Sequence, residues 1–318
     1  MLSGNKMKIN ILEVKRFLPP KALTVLKPYY RRAFPNKPIL LLNPTWRCNY
    51  RCSYCPIVTK FAYTTVVGKS QERAVGDWIA ALERMPASLI YFAGGEPFVF
   101  AGLPELLNGI PEKHHLLGVV TNLSQPTSVY RKVKKRIKLI GSLHREHTDP
   151  ETFVLKAKEL SDQFQIHANI VATPENLPFL EMVKRELTSA GVTLHVDPYI
   201  DVTGFRYSQD ELALVNRFIS GDRHPEAQQN YQDYTPRRCS AGRNYVTVAP
   251  DGSVYSCMGG MNFIHNTLFR DMVGDRAVSH FQMGNFFDPS FHLNREDTHC
   301  SMPCNAACDR DSVLIRAN

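Results

Sequence analysis

The chain has 318 residues, is 43% hydrophobic and 21% charged, and carries a formal net charge of +8. That composition excludes a disordered or fibrous chain, and the length suits one large barrel-like domain or two ordinary ones, each with a full core. No apolar run reaches the roughly 18 residues of a membrane span. The short apolar stretches near the N-terminus are broken by Lys15, Arg16, Pro19 and Pro20, so no secretory signal is expected and the cytoplasm is the expected compartment.

The excess charge is local. Residues 1–38 carry nine Lys or Arg side chains against Glu13 alone, a surplus equal to the whole net charge. Ile11, Leu12, Val14, Phe17, Leu18, Leu23, Val25 and Leu26 are interspersed with these bases, a basic amphipathic pattern that Pro19-Pro20 divides. Such a segment either packs across the open edge of a barrel or lies on an anionic surface. We expect a weak, salt-sensitive contact with anionic membranes.

From residue 39 to 198, short apolar runs alternate with amphipathic stretches. The strand candidates are 39–43, 89–93, 117–121, 137–142, 165–171 and 193–197, each rich in Ile, Val or Leu. Helical stripes fall between some of them: Val75, Trp78, Ile79 and Leu82; Phe153, Ala157 and Leu160; Leu180, Val183 and Leu187. Repeated βα units imply a parallel sheet, and six of them make an incomplete barrel whose strand C-termini line the active site. The expected fold class is therefore α/β, a partial (β/α)6 TIM barrel over residues 39–220 that ends in a helix at 209–220. Residues 221–236 read as a linker. Within 221–318, the runs 245–248 and 254–256 flank Pro250-Asp251-Gly252, the signature of a β-hairpin in a small Cys-rich module.

The eight cysteines form two groups. Cys48, Cys52 and Cys55 follow the first strand at C-x3-C-x2-C spacing; Cys239, Cys257, Cys300, Cys304 and Cys308 lie in the C-terminal module. In a reducing compartment such sets read as metal or redox sites. Three thiolates with no fourth nearby in sequence can hold three irons of a 4Fe–4S cube and leave one iron open, whereas structural zinc wants four ligands.

The first cysteine group resembles the signature of the radical SAM superfamily, and the likeness extends to aromatic Tyr54 before the third cysteine. The second strand then runs into Gly94, Gly95, Glu96 and Pro97, similar to the family's GGEP motif. The resemblance implies a cluster held by Cys48, Cys52 and Cys55, Tyr54 near the adenine of S-adenosylmethionine (SAM), and the Gly94–Pro97 turn at its amino group. Two glycines would let the backbone approach the ligand closely. Asn122, after Thr121 at the third strand end, Ser142 at the fourth and Asn169 in the fifth resemble the family's SAM-contacting positions, although polar residues also simply end strands. His144 and His147 follow the fourth strand; they are expected to be solvated, with substrate contact as the lesser reading.

Cys239, the hairpin leading to Cys257, and the cluster Cys300, Cys304 and Cys308 resemble the auxiliary modules of this superfamily called SPASM or, when shortened, twitch. Five cysteines suffice for one auxiliary 4Fe–4S cluster, with Cys239, Cys257, Cys300 and Cys304 favoured and Cys308 as the substitute; a zinc site from the same thiolates is the alternative. The resemblance implies an enzyme that cleaves SAM reductively to a 5′-deoxyadenosyl radical, which takes hydrogen from a peptide, a sugar-derived compound or another small molecule. An electron donor such as flavodoxin or ferredoxin is implied. The 38 residues before the first strand are too few for a winged-helix leader-binding domain, which weakens the peptide reading. RNA modification, and a non-catalytic Cys-rich zinc or nucleic-acid binder, are the alternatives; the neutral barrel portion gives RNA no special support.

Overall fold

In the computed structural model, residues 37–55, 57, 71–199, 205–218, 237–265 and 276–300 are described. The basic segment 1–36, the stretch 221–236, Cys304 and Cys308 lie outside them.

Six parallel strands follow one another in space as they do in sequence: β1 Ile39–Leu42, β2 Leu89–Phe92, β3 His115–Thr121, β4 Lys138–Ser142, β5 Gln165–Ala172 and β6 Thr193–Pro198. The helices between them are α1 Val75–Arg84, α2 Leu103–Gly109, α3 Thr127–Tyr130, α4 Pro150–Leu160 and α5 Leu180–Ser189; α6 Gln209–Asn216 comes after β6. This is the expected α/β architecture, a partial barrel of six βα units, and each strand starts and stops within two residues of its expected bounds. Two connections carry helices with no stripe in the sequence, because the seven residues of α2 and the four of α3 are too short for a period of 3.6 to register.

Side-chain alternation sorts the two faces of the sheet. Leu40, Leu42, Ile90, Phe92, Leu139, Ala168, Ile170 and Val196 are buried in one core with Trp78 and Leu82 of α1, Leu106 of α2, Phe153 of α4 and Val183 of α5. The alternate residues Tyr91, Ser142, His167, Asn169, His195 and Asp197 are only partly buried and lie on the opposite face. A bulge at Leu117 interrupts the pairing of β3 with β2.

The hairpin appears where the Pro-Asp-Gly turn places it, as β8 Tyr245–Val248 and β9 Ser253–Tyr255. Its partner is the finding. β8 runs parallel to β1, with Ile39 opposite Tyr245 and Leu42 opposite Val248, so the hairpin extends the barrel sheet. β10 Gln282–Asn285 then pairs with β9 at the edge. Buried Asn43 secures the join, its side chain donating to Thr247 Oγ1 (3.1 Å) and to the Val248 carbonyl (2.9 Å). A separate antiparallel ribbon joins β7 Arg237–Cys239 to β11 Thr298–Cys300. The helices α7 Met258–His265 and α8 Arg276–Phe281 complete the described residues.

Trp78 of α1 is fully buried against Phe286 and Phe287, which follow β10, with ring centroids 6.0 and 5.0 Å away. It therefore ties the barrel to the C-terminal strands. Trp78→Ala is expected to cost about 3–5 kcal/mol, as for large aromatic deletions in cores. Urea unfolding checks this; a loss under about 1 kcal/mol would contradict the packing role.

Candidate active site

The cysteine loop leaves β1 at Asn43. Arg47 donates twice to Glu72, at 2.6 and 2.8 Å, and the Thr45 hydroxyl donates to the same carboxylate. The loop is also bound to the turn after β2: the Gly95 N–H donates to the Thr45 carbonyl at 3.0 Å and the Glu96 N–H to that of Arg47 at 2.9 Å. Gly94 has φ of +123°, and a Cβ on Gly95 would lie 2.6 Å from both the Arg47 carbonyl carbon and the Trp46 oxygen. The two glycines thus make room for the cysteine loop itself, a close approach of one backbone to another that any side chain would block.

Cys48, Cys52 and Cys55 are not joined in disulfides. Cys52 is 4% exposed, and burial together with the neighbouring Cys55, Glu146 and Cys48 pushes its thiol up to about 12. Burial also raises Cys48, against the bond it accepts from the Tyr50 N–H at 3.4 Å. Cys48 and Cys52, whose ionisation burial and the neighbouring thiols oppose, suit a cationic centre that takes them as thiolates. This donor set fits three corners of an iron–sulfur cube.

The Glu96 side chain is 1% exposed and accepts from the Phe98 N–H (3.0 Å), the Thr121 hydroxyl (2.8 Å) and the Asn122 N–H (2.6 Å). Burial lifts its pKa to about 7 in spite of these bonds. Its carboxylate thus serves the end of β3, where Leu123 turns at φ 56°. Asn122 Nδ2 reaches Asn49 Oδ1 at 3.1 Å and Cys48 Sγ at 3.9 Å, and Asn49 donates to Ser124 Oγ at 2.9 Å. The third strand end is therefore stitched to the cysteine loop.

The loop after β4 meets the same loop from another side. His144 Nδ1 lies 2.7 Å from Tyr54 Oη and 3.3 Å from Cys52 Sγ, and burial, then the charge of His147, lowers its pKa to about 4. His147 Nε2 accepts from the Arg51 N–H at 3.1 Å, and Glu146 accepts from Ser53. Cys52, Glu146 and His147 bring potential ligand atoms within 4.8 Å of one another. Both histidines are thus engaged with the cysteine loop; His147 is exposed, as expected of a solvated loop residue, whereas His144 is partly buried, which corrects the expectation of solvation for that residue alone.

On the partly exposed sheet face, Ser142 stands in register beside Asn169. Asn169 Nδ2 donates to Asp197 Oδ2 at 2.8 Å, and Asp197 Oδ1 lies 3.1 Å from His195 Nε2. Asn169 Oδ1 is buried with no partner among the described residues, an acceptor suited to a ligand hydroxyl. Sequence reading passed over His195 and Asp197; their signal is the period-2 polar face of β6 in parallel register with β5.

In the C-terminal module, Cys239 Sγ accepts from the Ala241 N–H at 3.4 Å and Cys257 Sγ from the Gly260 N–H at 3.1 Å. Cys239 pairs with Thr298, so Cys300, two residues on, lies on the same ribbon face. The Asp297 side chain is 1% exposed between Arg238 (3.3 Å) and Arg243 (2.5 Å), and so fixes the ribbon.

Part of the chain resembles known proteins. Residues 42–157 match the family model described as the Radical SAM superfamily. A stretch of 106 residues is 30% identical to Fe-coproporphyrin III synthase of Methanosarcina barkeri; it covers 33% of this chain and 25% of that protein. The chain thus spans about a quarter of the length of that relative. SuiB of Streptococcus suis bound to S-adenosylmethionine superposes with a TM-score of 0.54 at 15% identity, over 80% of this chain and 71% of SuiB. SuiB bound to its precursor peptide SuiA gives 0.55 at 16%, over 85% and 66%. At these identities the likeness to SuiB is one of fold. The cysteine loop, the Gly-Gly-Glu-Pro turn and the strand ends of β3 and β4 all lie inside the stretch, residues 42–157, that matches the Radical SAM superfamily model.

Proposed function

We propose that the chain is a radical SAM enzyme that uses a 4Fe–4S cluster on Cys48, Cys52 and Cys55 to cleave SAM and take hydrogen from a peptide, sugar-derived or other small substrate. The observation that carries this reading is the gathering of three buried or half-buried thiols on one loop, held by the ends of β2, β3 and β4. When bound, the cluster supplies the electron that breaks the sulfur–C5′ bond of SAM. In this reading Ser142 and the unpartnered Asn169 Oδ1 would meet the ribose and carboxylate, Asn122 would stand beside the SAM site with its amide bonded to Asn49 and Ser124, and Tyr54, half-buried beside His144, would offer a ring to the adenine. The precursor peptide in SuiB supports a peptide substrate, and the Fe-coproporphyrin III synthase likeness supports a small molecule. A flavodoxin- or ferredoxin-type donor in the cytoplasm supplies electrons in this reading, and residues 1–38 give a weak contact with anionic membranes. After anaerobic reconstitution with iron and sulfide, dithionite and SAM are expected to yield 5′-deoxyadenosine by mass spectrometry. Protein that holds iron but forms none would overturn the reading.

The same reading extends to an auxiliary cluster on Cys239, Cys257, Cys300 and one of Cys304 or Cys308. The N–H···S bonds to Cys239 and Cys257 and the shared ribbon face of Cys239 and Cys300 support it. Replacing Cys239 and Cys257 by Ala together is expected to lower iron from about eight to about four per chain. Deoxyadenosine should still form, uncoupled from substrate. Unchanged iron in that variant, or zinc in the wild type, would end the auxiliary-cluster claim.

A further inference from the structure

We propose that the loop after β4 is a clasp: Glu146 and His147 hold the main chain of the cysteine loop in its ligand-binding shape before any cofactor arrives. The proposal rests on the reading of Cys48, Cys52 and Cys55 as cluster ligands. Main-chain N–H groups in a loop have no ladder to pair with, so side chains or water must satisfy them. Here the Ser53 N–H donates to Glu146 Oε2 at 2.9 Å and the Ser53 hydroxyl to Oε1 at 2.5 Å, so one carboxylate grips one residue at two points. The Arg51 N–H donates to His147 Nε2 at 3.1 Å, and the Tyr50 ring stacks on His147 with centroids 4.4 Å apart and planes 17° from parallel.

Arg51 and Ser53 flank Cys52, the most buried of the three thiols, so both of its neighbours are fixed from a loop more than 90 residues away in sequence. Glu146 and His147 are themselves exposed, which removes core filling as the reason for their placement. Their acceptor atoms lie close to Cys52 Sγ, yet their hydrogen bonds commit them to main-chain N–H groups. They are positioning residues. Without them the ordering of the loop would oppose cluster binding, because fixing each loop residue carries an entropic cost.

Hydrogen exchange of the apoprotein, followed in a peptide spanning residues 48–55, tests the clasp without any metal. Wild type is compared with Glu146→Ala, Glu146→Gln, His147→Ala and His147→Gln. Both Ala variants are expected to exchange this peptide roughly tenfold faster, while β5 keeps its protection. The Gln variants keep an acceptor oxygen and should restore most of the protection. After reconstitution, the Ala variants should lose iron to a chelator several-fold faster than wild type. Unchanged exchange in both Ala variants, an equal loss in β5, or Gln variants no better than Ala would overturn the clasp. An apoprotein with the expected exchange pattern that takes up no iron supports the clasp and overturns the cluster reading, so the two failures are distinct.

Discussion

In the Cys52→Ala variant, 5′-deoxyadenosine formation is expected to fall to the level of a protein-free control. Cys52 is the middle one of the three proposed ligands and the most buried, at 4% exposure. Two remaining thiolates cannot hold a cube whose fourth iron is reserved for SAM. Glu146 and His147 stand near enough to Cys52 to be considered as substitutes, but their acceptor atoms are engaged by Ser53 and Arg51. Cys to Ala removes one sulfur from a residue with few packing demands, so the fold should persist, and circular dichroism matching the wild type would show that it does. Deoxyadenosine formed at the wild-type rate would mean that this loop is not the cluster site.

Gly95→Ala is expected to damage both stability and cluster binding, and to do so through the backbone. The new methyl carbon would sit 2.6 Å from the Arg47 carbonyl carbon and the Trp46 oxygen, and those atoms belong to the main chain of the cysteine loop itself. Neither can rotate away. Overpacking of this kind costs about 1–3 kcal/mol or more, which for a chain of this size lowers the melting temperature by several degrees. The two hydrogen bonds that join the loops, from Gly95 to Thr45 and from Glu96 to Arg47, would be lost with it. Gly76 supplies the contrast. It lies in α1, and a methyl group added there would meet nothing within 4 Å, so Gly76→Ala should be neutral or stabilising by up to about 1 kcal/mol. Iron content and melting temperature separate the two glycines; a Gly95→Ala protein equal to wild type in both would show that the loops are not in close apposition.

Much of the fold could be read along the chain because each parallel strand announces itself locally. The run Ile39–Leu42 stands between Pro38 and Asn43-Pro44, and its observed bounds follow from that. The stripes Phe153, Ala157, Leu160 and Leu180, Val183, Leu187 are fully buried, as their spacing requires. What stayed hidden depends on pairing through space. The Pro-Asp-Gly turn marks the hairpin, but nothing local to Tyr245–Val248 names Ile39–Leu42 as its neighbour, and Asn43 meets Thr247 across 204 positions.

The site shows the same division. Chemistry-bearing residues at fixed spacing, Cys48, Cys52 and Cys55, were visible, and so was the Gly94–Pro97 turn. The reason for the glycines was not visible, because it lies in the carbonyls of Trp46 and Arg47. Asn169 was singled out, but its partners His195 and Asp197 come from the next strand, where polar residues at alternate positions look like an ordinary exposed face. Glu146 carries no signal in sequence at all. Its importance arises only where the β4 loop and the cysteine loop meet.

In the proposed reading, Cys48, Cys52 and Cys55 hold a cluster with one iron open to SAM. Electron paramagnetic resonance of the anaerobically reconstituted, dithionite-reduced protein, recorded with and without SAM, reports on that open iron. A reduced-cluster signal is expected whose line shape changes when SAM is added, with that SAM-sensitive component absent from Cys52→Ala. A spectrum that ignores SAM in the wild type, or a SAM-sensitive signal that survives in Cys52→Ala, would contradict that reading.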